Sequence, residues 1–379
     1  MKTDDRQPHL LFTPGPLSTS TGVKEAMLTD YGSREPTFIN LVSEIRSELL
    51  EIAGVSYAAG FEVIPMQGSG TFGIESVIGS VVPRNGKLLV IVNGAYGRRM
   101  VQIAECLGID VDLLEFPETE NPDETLIENR LAGDDSITHV AVVHCETTTG
   151  ILNPLNSISE LVARHGKSLI VDAMSSFGGI AIDLGKTKID FLISSSNKCL
   201  EGVPGFAFAI ARRSQLEESR GSARSVSLDL VAQFDALEKT GQFRFTPPTH
   251  VFAAFRRALI ELREEGGIPA RNRRYRENLD TLVEGMRELG FNCLLPAELR
   301  SPVITTFIEP DGFDFEALYE NLAAKQFIIY PGKLSETPSF RIGTIGKINS
   351  GDISRLLAAI GEFTGRAATA HHEPTGLVR

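Results

Sequence analysis

Five apolar segments of strand length recur along the first half of the chain, and each runs directly into polar or small residues. They end at Gln67, Asn93, Glu146, Asp172 and Lys198, with helical segments between them. Strands that alternate with helices predict an α/β fold with a mainly parallel sheet. In such sheets the carboxyl ends of the parallel strands lie along one edge, which is where ligands bind.

The residues at these strand ends carry hydroxyl, amide and charged groups. The candidates are Ser69, Gly70, Thr71, Tyr96, Thr147, Thr148, Asp172, Asn197 and Lys198. Taken alone, Asp172 could cap a turn and Lys198 could lie in solvent, as most such residues do. Their convergence on one edge of a sheet is what favours a binding site.

An acid and a lysine on neighbouring strands are the most informative pair in this set. Lys198 follows an apolar strand and three serines, and a lysine held there can be partly desolvated and lose its proton near neutral pH. Asp172 ends the preceding apolar strand. A lysine that forms a Schiff base and a carboxylate at the pyridinium nitrogen are what pyridoxal 5'-phosphate (PLP) requires.

A glycine-rich turn precedes the helix that starts near Glu75. Residues 68–73 read Gly-Ser-Gly-Thr-Phe-Gly, and small residues at the start of a helix leave backbone N–H groups free to hold a phosphate. The spacing also matches the dinucleotide fingerprint, so an NAD-dependent dehydrogenase is an alternative. That alternative requires an acid at the end of the second strand, where this chain has Asn93.

Three further side chains could complete a site. Tyr96 could lie flat on a pyridine ring or simply pack at a loop. Arg341 stands between apolar residues, where a planar guanidinium suits a carboxylate or phosphonate, with a structural salt bridge as the alternative. Arg34 lies in a polar loop and could meet an anion or form a surface ion pair.

Composition limits the possible partners and the compartment. The chain of 379 residues has a formal charge of −12 and no basic run, which argues against nucleic acid and anionic membranes as partners. Neither a signal peptide nor a membrane span is evident. The four cysteines lack CxxC spacing, so we expect no disulfide framework, no metal site and a reducing, cytoplasmic location.

The pattern of elements divides the chain into five parts. We predict an N-terminal arm at 1–20, a large domain at 21–250, an inter-domain helix region at 251–270, a small C-terminal α+β domain at 271–365 and a disordered tail at 366–379. The arm contains Pro14-Gly15-Pro16, which is too rigid for a flexible tail.

The motifs together resemble the fold-type I PLP aminotransferases, in the branch that holds alanine–glyoxylate, serine–pyruvate and 2-aminoethylphosphonate–pyruvate transaminases. The family landmarks lie at residues 13–16, 67–71, 93–97, 146–150, 171–173, 196–198 and 340–343. Residues 171–179, 197–208 and 330–333 are most similar to the 2-aminoethylphosphonate enzymes. The loop at 31–36 departs from them, because it has Arg34 where a Trp- and Asp-rich loop is expected.

The resemblance implies a role for each candidate. Lys198 would hold PLP as a Schiff base and move the proton, while Asp172 keeps the pyridine nitrogen protonated. The other assigned cofactor contacts are Ser69, Gly70, Thr71, Tyr96, Thr147, Thr148 and Asn197, with Thr246 from the second subunit of a homodimer. We assign Arg341, Thr13, Gly15 and Arg34 to substrate.

The expected reaction is transfer of an amino group from 2-aminoethylphosphonate to pyruvate in phosphonate catabolism, giving phosphonoacetaldehyde and L-alanine. Alanine–glyoxylate and serine–pyruvate transamination use the same machinery and stay open as alternatives.

Overall fold

The structure is a computed structural model that describes residues 9–332, 334 and 337–366. The first eight residues of the predicted arm and residues 367–379 of the predicted tail lie outside the described residues. So does Lys333, which belongs to one of the three stretches most similar to the 2-aminoethylphosphonate enzymes.

Strands and helices alternate through most of the described chain. The strands are β1 (Leu10–Leu11), β2 (Phe61–Gln67), β3 (Lys87–Val92), β4 (Asp110–Glu115), β5 (Ile137–Val143), β6 (Cys145–Glu146), β7 (Ile151–Leu152), β8 (Ser168–Asp172), β9 (Phe191–Ser195), β10 (Phe206–Arg212), β11 (Asn292–Cys293), β12 (Ile304–Ile308), β13 (Phe327–Ile328), β14 (Tyr330–Pro331) and β15 (Ser339–Gly343). The α-helices are α1 (Thr21–Glu25), α2 (Pro36–Ile52), α3 (Gly70–Val81), α4 (Ala95–Cys106), α5 (Glu124–Gly133), α6 (Leu155–Arg164), α7 (Arg213–Glu218), α8 (Leu230–Thr240), α9 (Thr249–Glu265), α10 (Gly267–Glu288), α11 (Phe315–Ala324) and α12 (Ser350–Thr364).

A seven-stranded sheet organises the larger part of the molecule. Its strand order is β2-β10-β9-β8-β5-β3-β4, and β10 runs antiparallel to both of its neighbours. The other neighbouring pairs are parallel. Central strands such as β3 and β5 are buried almost throughout, because helices cover both faces of the sheet and leave no polar face. This sheet confirms the predicted fold class.

A four-stranded antiparallel sheet of order β11-β12-β15-β14 forms the centre of a second, smaller core. Phe307 and Phe340 of this sheet pack with Leu356 of α12 and Leu282 of α10. The N-terminal segment joins the same core, because β1 pairs in parallel with β13 and the Phe12 side chain is fully buried there. The start of the chain is therefore fixed to its C-terminal part.

Helix α10 connects the two cores. Its last turns bury Leu282 and Met286 in the smaller core, while its first turns pack under the loop that follows β9. The preceding helix α9 ends at Gly266, whose φ of 106° is a conformation that glycine adopts without a steric penalty. No helix in the described ranges is both long enough and apolar enough to span a membrane.

Candidate active site

A cavity of about 340 Å³ lies at the carboxyl edge of the large sheet. Eight of the predicted site residues line it: Gly15, Ser69, Gly70, Thr71, Tyr96, Asp172, Asn197 and Lys198. They come from the N-terminal segment, from the starts of α3 and α4, and from the ends of β8 and β9. Thr13, Arg34, Thr147, Thr148, Thr246 and Arg341 do not line it.

Lys198 lies three residues beyond the end of β9, and its amine points to the N-terminal segment. The Nζ atom donates a hydrogen bond to the Pro14 carbonyl at 2.7 Å. A Cβ atom added to Gly15 would lie 2.6 Å from the Lys198 Cδ, so this position has no room for a side chain and requires glycine. Burial lowers the pKa of Lys198 below its ordinary value, because a charged ammonium is poorly solvated there.

Asp172 ends β8 in the neighbouring strand, where its backbone pairs with Ile193 of β9. Its Oδ1 accepts a hydrogen bond from the Met174 N–H at 2.9 Å. No cation among the described residues lies within 4.0 Å of this carboxylate. Burial raises the pKa of Asp172 to about 6, and the hydrogen bond from Met174 and the charges of Lys198 and Arg99 only partly oppose this.

The glycine-rich turn opens helix α3 directly at the cavity. Ser69 is the N-cap residue, and its side chain makes no capping hydrogen bond, so the hydroxyl and the first N–H groups of α3 are free for a ligand. A Cβ on Gly70 would lie 2.5 Å from the Met174 sulfur, which explains a glycine at this position. This geometry suits a phosphate group.

Arg99 is a cavity residue that the sequence analysis did not single out. Its Nη1 lies 3.4 Å from the Thr71 Oγ1, and its guanidinium lies 5.0 Å from the centre of the Tyr96 ring. Arg99 and Tyr96 are three residues apart on α4 and so share a helix face, a spacing that could have identified it. It provides a positive charge beside the start of α3.

Arg341 lies at the centre of β15 and is 2% exposed. Its Nε donates to the Pro331 carbonyl at 2.9 Å and its Nη1 to the Thr147 carbonyl at 2.8 Å. Among the described residues, no carboxylate lies within 4.0 Å of this guanidinium. Burial lowers the pKa of Arg341, although Tyr96 and Tyr330 oppose this shift. A buried guanidinium that contacts carbonyls but no acid is suited to an anionic ligand.

The hydroxyl-rich turn after β6 reaches the site through Glu146, which the sequence analysis also did not assign. Glu146 accepts hydrogen bonds from the Gly97 N–H at 2.8 Å, the Tyr96 N–H at 3.3 Å and the Thr148 hydroxyl at 3.3 Å. Burial raises the pKa of Glu146 to about 7. The Thr147 Oγ1 is buried and has no hydrogen-bond partner among residues 9–332, 334 and 337–366.

The remaining candidates lie at the margins of the site. The Thr13 hydroxyl donates to the Pro16 carbonyl within the N-terminal segment. Arg34 is exposed in the loop before α2. Thr246 is also exposed, and its carbonyl accepts a hydrogen bond from the Gln67 side chain at 3.2 Å. Within one chain, Arg34 and Thr246 are therefore outside the cavity.

The residues present fit PLP. A partly desolvated amine, a buried acid without a cation, and the free start of a helix with a nearby guanidinium match the cofactor's aldehyde, ring nitrogen and phosphate. The Ser195 Oγ at the cavity wall is buried and has no hydrogen-bond partner in the part of the chain that the structure describes, as a site shaped for a polar ligand would leave it. The described residues contain no group of three His, Cys, Asp or Glu side chains placed to hold a metal.

Comparison with curated proteins gives close relatives over nearly the full length. A 2-aminoethylphosphonate–pyruvate transaminase of Bacteroides fragilis (strain YCH46) is 52% identical over 94% of this chain and 99% of its own. The protein of that name from Bacillus cereus (strain ATCC 10987) is 51% identical over 93% of this chain and 97% of its own.

Comparison with solved structures supports the fold. The alanine–glyoxylate aminotransferase of Nostoc sp. matches with a TM-score of 0.87 at 27% identity, covering 97% of each chain. The ureidoglycine–glyoxylate aminotransferase of Bacillus subtilis matches with a TM-score of 0.86 at 26% identity, covering 98% of this chain and 97% of its own.

The model of the class-V aminotransferases matches residues 28–347, which include the whole large sheet and Arg341. This match and the relatives confirm the predicted PLP-dependent aminotransferase of fold type I, and they exclude the dehydrogenase alternative. The chain belongs to the class-V aminotransferase family.

Proposed function

We propose that this aminotransferase transfers the amino group of 2-aminoethylphosphonate to pyruvate, giving phosphonoacetaldehyde and L-alanine. The observation that carries the proposal is the identity of about half of all positions, over nearly the whole chain, with transaminases that bear this name. The candidate active site supports it, because the cavity combines a PLP-type lysine and acid with the guanidinium group of Arg99, and Arg341 lies outside its lining without a described carboxylate partner.

Each part of the cofactor has residues suited to hold it. We assign the covalent bond to Lys198, the ring nitrogen to Asp172 and the phosphate to the start of α3, with Asn197 and Arg99 beside it. Tyr96, which lines the cavity, is assigned to the ring, and so are Thr147 and Thr148, although these two do not line the cavity. When bound, PLP supplies an electron sink for the carbon that carries the amino group.

Lys198 is the proposed acid and base. Its lowered pKa favours the neutral amine, which is the form that attacks a carbonyl carbon and accepts a proton. After substrate displaces it, the free amine has the Pro14 carbonyl as an acceptor at 2.7 Å. This contact would keep the lysine beside the reacting carbon instead of letting it turn to solvent.

Arg341 is the proposed ligand of the pyruvate and alanine carboxylate. It is held by two carbonyls and is free of acids among the described residues, so an incoming carboxylate would be its first full charge partner. Arg341 and Arg99 are the two cations we propose for anion binding within one chain, with Thr13 and Gly15 closing the site from the N-terminal segment.

The rest of the site is proposed to come from a second copy of the chain in a homodimer. Two exposed aromatic side chains adjoin site residues: Phe72, next to Thr71, is 51% exposed, and Phe245, next to Thr246, is 44% exposed. Exposed aromatic residues beside a cavity are typical of a surface that another chain covers. Such a dimer could bring Thr246 and Arg34 of one chain to the other chain's cavity. We place the enzyme in the cytoplasm, in phosphonate catabolism.

A panel of amino donors with pyruvate as acceptor tests the proposed reaction. We expect alanine to form rapidly with 2-aminoethylphosphonate, and at least about 100-fold more slowly with serine, because the serine carboxylate differs from the phosphonate in shape, charge and distance from the amine and leaves the phosphonate contacts unmade. A parallel panel with glyoxylate as acceptor and alanine as donor tests the alternative. Efficient turnover of serine or of alanine with glyoxylate, and none of the phosphonate, would replace the proposed donor while leaving the family assignment intact.

A further inference from the structure

Beneath the loop that carries Lys198 lies a buried group of charged and aromatic side chains that no step above uses. It consists of Glu201, Glu265, Arg271, Arg274 and Tyr275, and we name it the α10 cluster because three of its members belong to that helix. None of the five lines the cavity. Arg271 and Tyr275 are almost completely buried, so the cluster is part of the interior.

The α10 cluster holds the loop of Lys198 from below. The Cys199 carbonyl, directly after Lys198, accepts hydrogen bonds from Arg271 Nη1 at 2.8 Å and from the Tyr275 hydroxyl at 3.3 Å. Glu201 closes the loop, since its N–H donates to the Lys198 carbonyl at 2.7 Å. Its carboxylate accepts hydrogen bonds from the Tyr275 hydroxyl at 2.6 Å and from Arg274 Nη2 at 2.8 Å.

Arg274 also holds the segment that follows β15, the strand of Arg341. Arg274 Nη1 donates to the carbonyls of Gly346 at 2.5 Å and Ile348 at 3.1 Å. Both lie shortly after β15 in the smaller core. One guanidinium therefore contacts the lysine loop on one side and the continuation of β15 on the other.

The charges of the cluster balance one another. Glu265 accepts hydrogen bonds from Arg271 Nε and Arg274 Nε, each at 2.8 Å, and Glu201 pairs with Arg274. Two guanidinium groups thus face two carboxylates. A balanced buried network is rigid, because losing one member leaves another charge unpaired in a poorly solvated place.

Glu201 has a left-handed backbone conformation, which residues with a side chain rarely adopt. Its φ is 60°, and Gln326 is the other non-glycine residue with a positive φ among those the structure describes. Such a conformation is unfavourable for a residue with a side chain, and it persists where the surroundings hold it. Here Arg274 and Tyr275 hold the carboxylate, which keeps the turn after Lys198 in this form.

We propose that Arg274 is a positioning residue that fixes the Lys198 loop relative to the strand of Arg341. The inference rests on the roles proposed above for those two residues. A reacting carbon held through its carboxylate at Arg341 must lie within reach of the Lys198 amine, and a displacement of about 1 Å can reduce turnover about 100-fold. Arg274 sets that separation without touching substrate or cofactor.

The test compares Arg274→Gln with Arg46→Gln. Arg46 is the control: it is buried, while Arg274 is partly buried, and like Arg274 it pairs with an acid, Glu62, at 3.1 Å and donates to a backbone carbonyl, that of Val63, at 2.8 Å, but it lies outside the cavity. Both variants lose one paired cation and should lose thermal stability. At a temperature where both are folded, we expect Arg274→Gln to lower kcat about 10- to 100-fold and to raise the KM for pyruvate.

Arg46→Gln should change both constants by less than about twofold, as expected for a distant site. A second measurement follows the loss of visible absorbance as PLP leaves the holoenzyme in PLP-free buffer. Release should be about tenfold faster from Arg274→Gln, because the lysine loop is loosened, and unchanged in the control. Equal losses of activity and equal PLP release in the two variants would overturn the proposal and assign Arg274 to stability alone.

If Arg274→Gln does not fold, Glu201→Gln replaces it, since the amide keeps an acceptor for Tyr275 and Arg274 and removes only the charge. Kinetics are measured with whichever donor the wild-type enzyme uses. Failure of the phosphonate as donor would therefore contradict the proposed function without affecting this test. Unchanged kcat, KM and PLP release in Glu201→Gln would count against the positioning role.

Discussion

The cavity and the α10 cluster both bury charged side chains, but the two regions treat the charges differently. In the α10 cluster, Arg271 contacts Glu265 at 2.8 Å, and Tyr275, Glu201 and Glu265 raise its pKa although burial opposes them. In the candidate active site, Arg341, which does not line the cavity itself, contacts two carbonyls and no described carboxylate, and burial lowers its pKa. Both guanidinium groups are at most 2% exposed.

This difference separates charges that build the structure from charges kept for a ligand. A buried charge without an opposite charge destabilises the fold, and a protein retains it where a bound molecule supplies the missing partner. Asp172 and Lys198 follow the same pattern as Arg341, since burial shifts the pKa of each toward its neutral form. The unpaired charges mark the functional site, and the paired ones mark its support.

Replacing Lys198 with alanine is expected to have the largest effect on activity. Loss of the amine removes both the bond to PLP and the proposed acid and base, so turnover should fall by at least about 10⁴-fold. Folding should be retained, because among the described residues the amine contacts one carbonyl and no carboxylate. Alanine formation and thermal unfolding measured on the same sample check this. Near-normal turnover would refute the assignment of the site.

Asp172→Asn should lower turnover about 10²- to 10³-fold, since the amide cannot keep the ring nitrogen protonated. The cofactor-free protein gives an independent check. The folded-state pKa of about 6 lies above the ordinary value of 3.8, so the folded protein binds this proton more tightly than the unfolded chain does. Stability from this group is therefore present at low pH and is lost as pH rises from about 4 through 6.

Removing this carboxyl group should thus stabilise the cofactor-free protein at pH 8, by up to about 3 kcal/mol, and leave it unchanged near pH 4. Denaturant unfolding of both proteins at the two pH values measures the difference. A variant that is less stable than the wild type at pH 8 would mean that Asp172 supports the fold, as a charge of the α10 cluster does.

The variants Arg341→Met and Arg271→Met directly test the distinction between an unpaired arginine of the active site and a paired arginine of the α10 cluster. Arg341→Met should raise the KM for pyruvate about 30-fold or more, which corresponds to ~2 kcal/mol for loss of a buried charge partner. Its unfolding free energy should change by no more than about 1 kcal/mol. Arg271→Met should instead lose about 3–5 kcal/mol of stability, because Glu265 is left partly unpaired. Similar losses of stability in both variants would contradict the distinction.

The residues at the strand ends were predictable from the sequence, because the parallel strands of such a sheet all end along the edge where ligands bind. Lys198 and Asp172 follow apolar segments, and the parallel pairing of β8 with β9 brings the ends of their strands together at this edge. The small residues at 68–71 were likewise predictable, since small residues at the start of a helix that follows a strand leave backbone N–H groups free to hold a phosphate. These predictions needed no distant contact.

Residues that act through distant contacts could not be predicted in this way. Arg274 lies on a charged helix, and its neighbours in the sequence do not indicate its partners. It contacts Glu201 and the segment after β15, at Gly346. Glu146 was noted as a strand end, but its partners are N–H groups of α4, fifty residues earlier in the chain. Such contacts form when helices pack on a sheet, and no motif or periodicity in the local sequence predicts them.

Glu146 has features of both the paired charges of the α10 cluster and the unpaired charges of the active site. We therefore expect Glu146→Gln to change activity least among these variants. Its carboxylate accepts N–H groups at the start of α4, as a structural acid would, yet burial raises its pKa to about 7. Below pH 7 the protonated acid and the amide each offer one acceptor oxygen and one donor, so the variant should match the wild type. Above pH 7 the wild type gains a second, charged acceptor that fixes the Tyr96 backbone.

The ratio of variant to wild-type kcat/KM should therefore be near one at pH 6 and fall to about one third at pH 8.5, a change of ~0.7 kcal/mol that corresponds to one weak hydrogen bond. Steady-state rates with pyruvate as acceptor, taken at half-unit pH intervals, measure it. A fall centred near pH 7 would place Glu146 with the titrating charges of the cavity. A ratio that is constant from pH 6 to 8.5 would instead group it with Glu265 of the α10 cluster, because the hydrogen bonds and charges of Arg274 and Arg271 hold the pKa of that acid below its ordinary value, although burial opposes them.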